Sequence, residues 1–303
     1  MKTPYFWNSD NFLSTLLTPV SKIYGFITQY RINNSSPYKS TAKVICVGNI
    51  TAGGVGKTPI SIALAKRYQK ENKKVFFVTR GYKGKLKNIL VDLSVHTPLE
   101  TGDEARLLAQ TAPTIISPNR AYGAKLATSL GAEIIIMDDG FQNPTLYKNE
   151  AYLVFDGANG IGNGKIIPSG PLRETLSTGL KRANYVIIMG EDKTNLKQHI
   201  TLPCYTGRLI AEKLNLSNKN VLAFAGIGNP SKFYKTLSTE GYNVVKTKDF
   251  EDHHTYTKED INQLKKEALE NNLTLITTEK DYVKLTKEQQ QDIYCLKVKA
   301  VWE

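Results

Sequence analysis

With 303 residues, 41% hydrophobic and 22% charged, the chain can bury one large or two modest cores and has the balance of an ordinary globular protein, which excludes a disordered or low-complexity architecture. Its three cysteines, Cys46, Cys204 and Cys295, are odd in number and far apart; they exclude a disulfide framework and a cysteine-based zinc site, and they predict a reducing cytoplasm. Forty basic against 28 acidic residues give a formal charge of +12, a bias toward polyanions such as nucleic acid, anionic lipid headgroups or phosphorylated substrates.

The N-terminal stretch "MKTPYFWNSDNFLSTLLTPVSKIYGFITQY" has no cleavable signal pattern, and polar residues interrupt it before the roughly 20 apolar residues that a membrane span needs. Leu13, Leu16, Leu17, Val20, Ile23, Tyr24, Ile27 and Tyr30, with Phe6 and Trp7 ahead of them, recur at helical spacing. That periodicity predicts an amphipathic helix bent at Pro19, which either packs on its own domain or lies in a membrane interface.

Farther along, "AKVICVGNI" reads as a buried parallel strand, the glycine loop after it opens into the helix "KTPISIALAKRYQKENKK", and "VFFVTRGY" returns as a strand. The helix "DEARLLAQ", strand "APTIISP", helix "NRAYGAKLATSLG" and strands "EIIIMDDG", "AYLVFDG" and "NYVIIMG" continue the alternation. Short β-rich runs alternating with helices predict an α/β domain with a mostly parallel sheet. Composition shifts toward lysine and asparagine near residue 180, where "KNVLAFAGIGNP" and "LTLITTEKDYVKL" repeat the strand-to-helix logic. The expected division is therefore a domain over 1–178 and a smaller α/β lobe over 179–303, with the last strand, "IYCLKVKAVWE", left free to return to the first sheet.

The most informative stretch is "VGNITAGGVGKTPI". A phosphate-binding loop of the form G-x-x-x-x-G-K-[ST] places backbone N–H groups around the β-phosphate, a lysine against the β and γ oxygens and a hydroxyl on magnesium, all at a helix N-terminus. Thr51, Ala52, Gly53, Gly54, Val55, Gly56, Lys57 and Thr58 supply that loop, with Thr51 in place of the usual first glycine. Gly48 is expected to ease the turn instead, and Pro59 suits the first turn of the helix. Asp138 and Asp139 end an apolar strand, where an aspartate beside such a loop commonly orients magnesium; either one, or a capping role for its neighbour, fits the sequence. Asp103 and Glu104 stand at a helix start, where an ordinary N-cap is the residue-level reading.

"VGNITAGGVGKTP" resembles the signature of the tetraacyldisaccharide 4'-kinases, in which threonine at that first position is ordinary. "TRGYKGK", "GDEARLLA", "DDGFQN", "SGPLRE", "AGIGNP", "FEDHHTY" and "TTEKD" are similar to further blocks of that family in the same order, so the resemblance covers nearly the whole chain. It implies a P-loop NTPase-like kinase that uses ATP and Mg2+ to phosphorylate the 4'-hydroxyl of an acylated disaccharide 1-phosphate in lipid A biosynthesis. The catalytic set it implies is Lys57, Asp103 and His253, with His254 adjacent and not distinguished. An Asp/His pair suits removal of a hydroxyl proton, since an isolated carboxylate is a weak base at neutral pH. Arg173 and Glu174 become the substrate-binding candidates, Arg173 able to grip a phosphate bidentately, either the nucleotide's or the substrate's 1-phosphate; the alternative is a surface ion pair.

Neither "AGIGNP" nor "TTEKD" carries chemistry beyond turns and caps, and the two histidines of "FEDHHTY" lack the second ligand cluster that a zinc site needs. Asn143 stands where the family commonly has histidine and brings no titratable group. Because the substrate's acyl chains stay in lipid, the resemblance implies docking on the cytoplasmic face of the bacterial inner membrane through the N-terminal helix. Two lobes imply closure over the nucleotide. No nucleic-acid module and no obligatory protein partner is evident, so a nucleic-acid-binding ATPase and a membrane-partitioning regulatory ATPase stand as the rivals.

Overall fold

The structure is a computed structural model that describes residues 4–303. Its strands are β1 Lys43–Gly48, β2 Val75–Thr79, β3 Ile89–Leu90, β4 Thr114–Ile116, β5 Ile134–Asp138, β6 Glu150–Asp156, β7 Tyr185–Met189, β8 Cys204–Ala211, β9 Asn220–Ala225, β10 Asn243–Asp249, β11 Thr274–Thr278, β12 Ile293–Leu296 and β13 Val298–Trp302. The helices are α1 Phe12–Leu16, α2 Thr18–Asn33, α3 Lys57–Lys70, α4 Pro98–Thr101, α5 Asp103–Ala109, α6 Arg120–Ser129, α7 Leu176–Leu180, α8 Pro230–Thr239, α9 Lys258–Glu270 and α10 Glu279–Tyr282.

A nine-stranded sheet in the order β13-β8-β7-β6-β1-β5-β2-β4-β3 forms the larger lobe. Its pairings are parallel except at the two edges, where β13 and β3 run antiparallel to β8 and β4. Strand β1 lies inside the sheet and is buried on both faces, which is why its sequence is an unbroken apolar run. Val44 and Cys46 join one core cluster with Ile135, Met137, Leu153 and Phe155. Ile45 and Val47 join the other, with Ile136, Val154 and the α3 residues Ile60 and Leu64. This period-two partition pins the register of β1, so the loop that follows it must emerge at the carboxyl end of the sheet, where parallel α/β folds gather ligands.

The smaller lobe is a four-stranded parallel sheet, β10-β9-β11-β12. The expected boundary at 178/179 would cut the large sheet, because β7, β8 and finally β13 pair within it. Sheet membership instead puts the change of lobe between Ala211 and Asn220, and the chain crosses back at Lys297, with Ile293–Leu296 in the small sheet and Val298–Trp302 in the large one. A lysine- and asparagine-rich composition follows surface exposure, which both lobes have, and not sheet membership.

At the N-terminus the helix breaks as Pro19 predicts, with Leu17 between α1 and α2 and proline in the first turn of α2. The face turned to the protein is not the apolar one. Ser14 and Ser21 are buried, and the Ser21 hydroxyl lies 2.7 Å from that of Ser169. A Cβ on Gly25 would stand 2.9 Å from Ile166, and Trp7 donates its indole N–H to the Pro168 carbonyl at 2.9 Å. Phe12, Leu16, Val20, Ile23, Phe26, Ile27 and Tyr30 are all more than half exposed. Packing on its own domain through the apolar stripe is therefore not how this helix is held. Among the described residues no helix is long and apolar enough to cross a membrane.

Candidate active site

The glycine loop runs from β1 into α3. Thr51 is 4% exposed and forms an isolated antiparallel bridge with Leu172, while the Ala52 N–H donates to the Pro171 carbonyl at 2.8 Å. Its φ is not among the positive values, which fall instead at Gly53 (+115°) and Gly56 (+87°). Position 51 is thus extended backbone pinned by the 171–173 segment, and a β-branched residue belongs there. Gly48 does not make the turn either. A Cβ on it would lie 2.5 Å from Phe141 Cβ, so its role is to admit the loop that follows β5. At Gly53 and Gly54 a Cβ would meet no protein atom within 4 Å, so these backbones face open space at the mouth of α3. A run of N–H groups there at a helix N-terminus suits an anion. Val55 is buried beneath the loop as an apolar footing.

Lys57, in the first turn of α3, reaches Asp139 Oδ1 at 3.7 Å, and Arg173 reaches the same oxygen at 3.6 Å. That oxygen is buried and has no hydrogen-bond partner among the described residues, and Asp139 sits in left-handed backbone at φ 49°. Asp138, 1% exposed, accepts from Ser61 at 2.7 Å and from Thr58 at 3.2 Å. Burial pushes its carboxyl up to about 7, the Glu104 and Asp139 charges add to that, and the Ser61 hydroxyl opposes it. A crowded set of hard oxygen donors that is costly to leave charged fits a divalent cation. Thr58, Asp138 and Asp139 are thus brought together.

Asp103 is the first residue of α5 and makes no capping hydrogen bond; the cap position belongs to Gly102, at φ 81°. The Asp103 carboxylate instead meets the small lobe: Oδ2 lies 2.9 Å from His253 Nδ1 and 3.8 Å from Lys284 Nζ. His253 is the residue at φ 66° that turns its ring across the cleft, with the Tyr82 ring against it at 5.5 Å between centroids. His254 turns away, to Asp260 at 2.9 Å and the Phe250 ring. The two histidines thus have separate carboxylate partners.

Glu174 does not join Arg173. It is 3% exposed and is held by Arg182, Gln142 and Thr178, while the Arg182 guanidinium also lies over the Phe141 ring. These bonds consume its carboxylate in bracing the segment that leads into α7 against the loop after β5. Asn143 accepts from the Thr145 N–H and hydroxyl at 3.0 and 2.9 Å, which is a turn-forming role.

Sequence reasoning missed Lys280, Asp281 and Lys284. Asp281 is fully buried and accepts from Lys284 at 2.7 Å and from Tyr256 at 3.0 Å. The "TTEKD" block was the only signal for Lys280 and Asp281, and its local chemistry showed just the cap, the Thr278 side chain accepting from the Asp281 N–H; Lys284 lies three residues beyond it.

A parallel sheet whose inner strand feeds a glycine loop, with a hydroxyl, a lysine and paired aspartates converging beside it, defines a P-loop NTPase-like kinase. The model of the family described as Tetraacyldisaccharide-1-P 4'-kinase, LpxK, matches residues 13–303. The tetraacyldisaccharide 4'-kinases of Paramagnetospirillum magneticum and Rhodospirillum rubrum are 42% and 40% identical to the chain, covering 100% of it and 95% and 94% of those relatives. The crystal structure of an "apo" form of LpxK from Aquifex aeolicus in complex with ATP matches with a TM-score of 0.77 at 27% identity, covering 96% of each chain. The chain belongs to the tetraacyldisaccharide 4'-kinase family.

Proposed function

We propose that the chain transfers the γ-phosphoryl group of ATP to the 4'-hydroxyl of a tetraacyldisaccharide 1-phosphate, the lipid A biosynthetic step, with Asp103 and His253 handling the hydroxyl proton. The observation that carries this reading is the 2.9 Å Asp103–His253 contact. It joins the two lobes beside the glycine loop and gives the acceptor hydroxyl a base, which a purely regulatory ATPase does not need. In the step, the 4'-oxygen forms a bond to the γ-phosphorus, the bond from that phosphorus to the β,γ-bridging oxygen breaks, ADP leaves, and the hydroxyl proton passes to Asp103. Lys57 and the amides of residues 53–58 hold the phosphates and neutralise charge that develops during transfer, while Thr51 and Ala52 tie the start of the loop to residues 171–172.

The donor set at Thr58, Asp138 and Asp139 fits Mg2+, which when bound offsets phosphate charge and orients the transferred group. Arg173, 31% exposed in its side chain and 3.6 Å from Asp139, is placed to contact a phosphate; Glu174 positions the segment that carries it. Closure of the two lobes excludes water, which would otherwise compete with the sugar hydroxyl.

The exposed apolar face of α1 and α2 supports a peripheral position on the cytoplasmic face of the inner membrane, where the ATP supply and the lipid acceptor meet. No nucleic acid and no obligatory protein partner enters this reading.

Transfer from γ-labelled ATP to purified tetraacyldisaccharide 1-phosphate in detergent micelles tests the proposal. Acceptor-dependent product should form, and Lys57→Ala and Asp103→Ala should each lower turnover by about 100-fold or more. ATP hydrolysis without acceptor-dependent product would instead favour the regulatory ATPase.

A further inference from the structure

Helix α10 of the "TTEKD" block and the turn after it bring Lys280 and Lys284 to the Asp103–His253 pair from the small-lobe side. Lys284 is nearly buried and is committed to Asp281 at 2.7 Å and to the Gly226 carbonyl at 3.3 Å. Lys280 is different. Its ammonium lies 3.3 Å from His253 Nε2, on the opposite side of the imidazole from Asp103. Around it stand Asp252 Oδ1 at 3.8 Å and Glu104 Oε1 at 3.9 Å, so carboxylates from both lobes hold the amine over the ring nitrogen.

An ammonium has three hydrogens to donate and no lone pair to accept with, so a contact between Lys280 and Nε2 works only when Nε2 is unprotonated. In a neutral imidazole the single proton then resides on Nδ1, and there it donates to Asp103 Oδ2 at 2.9 Å. The competing partner for a proton on Nε2 is Asp252 Oδ1, at 3.7 Å, beyond hydrogen-bond length. The geometry points to Lys280 as a positioning residue that sets the tautomer of His253, so that the histidine donates to Asp103 through Nδ1 and stays neutral while Asp103 takes the substrate proton.

The inference rests on the Asp103 base assignment above and adds to it the division of labour within the pair. His253 and Lys284 both approach Oδ2 of Asp103, which directs the incoming proton to Oδ1. Onward transfer of that proton to Nε2 is blocked, because an imidazolium would leave the ammonium facing an N–H instead of a lone pair. Lys280 acts in this arrangement through the His253 ring.

Nitrogen-15 NMR of histidine-labelled full-length protein at neutral pH reads the tautomer directly, and the resonances of His253, one of only four histidines, are assigned by their loss in His253→Asn. The native protein should show protonated Nδ1 and unprotonated Nε2 at His253. Lys280→Met should move the signal toward the Nε2–H form and lower kcat about tenfold or more with the KM for ATP unchanged, and Lys280→Arg, which keeps a donor, should restore both. Protonated Nε2 in the native protein overturns the proposal without any variant having to fold. In a folded Lys280→Met protein, an unchanged tautomer or an unchanged kcat overturns it as well. Asp103→Asn is assayed in parallel: if that variant keeps full turnover, the base assignment itself has failed, whereas a dead Asp103→Asn beside a normal Lys280→Met removes only the role of Lys280.

Discussion

Thr51 shows how a departure from a motif can be a requirement of the fold. The side chain is buried, the backbone is extended, and the Asn49 amide donates to the Thr51 carbonyl at 2.6 Å. Glycine there would restore the usual loop pattern while adding unfolded-state freedom and removing a packed side chain. Thr51→Gly should lower stability by about 1 kcal/mol while shifting the ATP dissociation constant by less than about twofold, since the phosphate-facing amides belong to later residues. Denaturant unfolding and nucleotide titration on the same preparation separate the two effects; a large gain in affinity would show that the threonine restrains the loop. Asp139 and His253 make the converse point, because both hold left-handed backbone without being glycine. Such strain gathers where a side chain must be aimed.

Within single elements, the cap of α9 and the ion pair beyond α10 differ in what they contribute. Helix α9 begins with a reciprocal box in which Thr257 accepts from the Asp260 N–H at 3.0 Å and Asp260 accepts from the Thr257 N–H at 2.9 Å. Burial pushes the Asp260 carboxyl up, but hydrogen bonds from His254 and Thr257 outweigh it and bring the folded value below the ordinary one. Its stabilisation is therefore in place above about pH 4, where the unfolded group is ionised, and is lost as pH falls through the lower folded value. Asp260→Asn should flatten that acid limb in a series of unfolding curves, and an unchanged limb would place the acid sensitivity elsewhere.

The Lys284–Asp281 pair has both side chains at 3% exposure or less, so removing one partner strands a buried charge. Lys284→Met should cost about 3–5 kcal/mol. Lys280→Met, at a side chain 25% exposed, should cost about 1 kcal/mol or less. Equal losses would contradict the division between a structural lysine and a positioning one.

Over the whole molecule, two lobes and one apolar face have to be placed with respect to a lipid substrate. The lobes meet through Asp103–His253, through Lys232 with Asp156 at 2.7 Å and through the Arg106 Nε donating to the Val283 carbonyl at 3.3 Å. The exposed face of α1 and α2 stands apart from these contacts and is fixed to the larger lobe by Trp7, Ser14 and Ser21. Replacing Phe12, Ile23 and Phe26 together by Asp should abolish sedimentation with anionic phospholipid vesicles, because each change removes apolar burial and adds repulsion. Turnover on micellar substrate should fall far less than vesicle binding. Loss of both in proportion would mean that the face contributes to the catalytic fold rather than to docking.

The glycine loop, the apolar strand runs and the ordered motif blocks are local patterns, and the sequence alone determined the α/β class, the nucleotide loop and the family from them. Pro19 likewise announced the bend after α1 because its constraint acts on its own backbone. Only the tertiary structure decided between His253 and His254, since adjacent residues differ there by a left-handed turn that no spacing reveals. It also decided that the small-residue side of the N-terminal helix faces inward, that Glu174 is spent on Arg182, and that the final strand returns to the first sheet. Lys280, inside "TTEKD", and Lys284, just after it, were invisible for the same physical reason: Asp103 and Glu104 on α5 and His253 in the loop after β10 lie far away in sequence, and a charge acquires its function from the partner that folding brings to it.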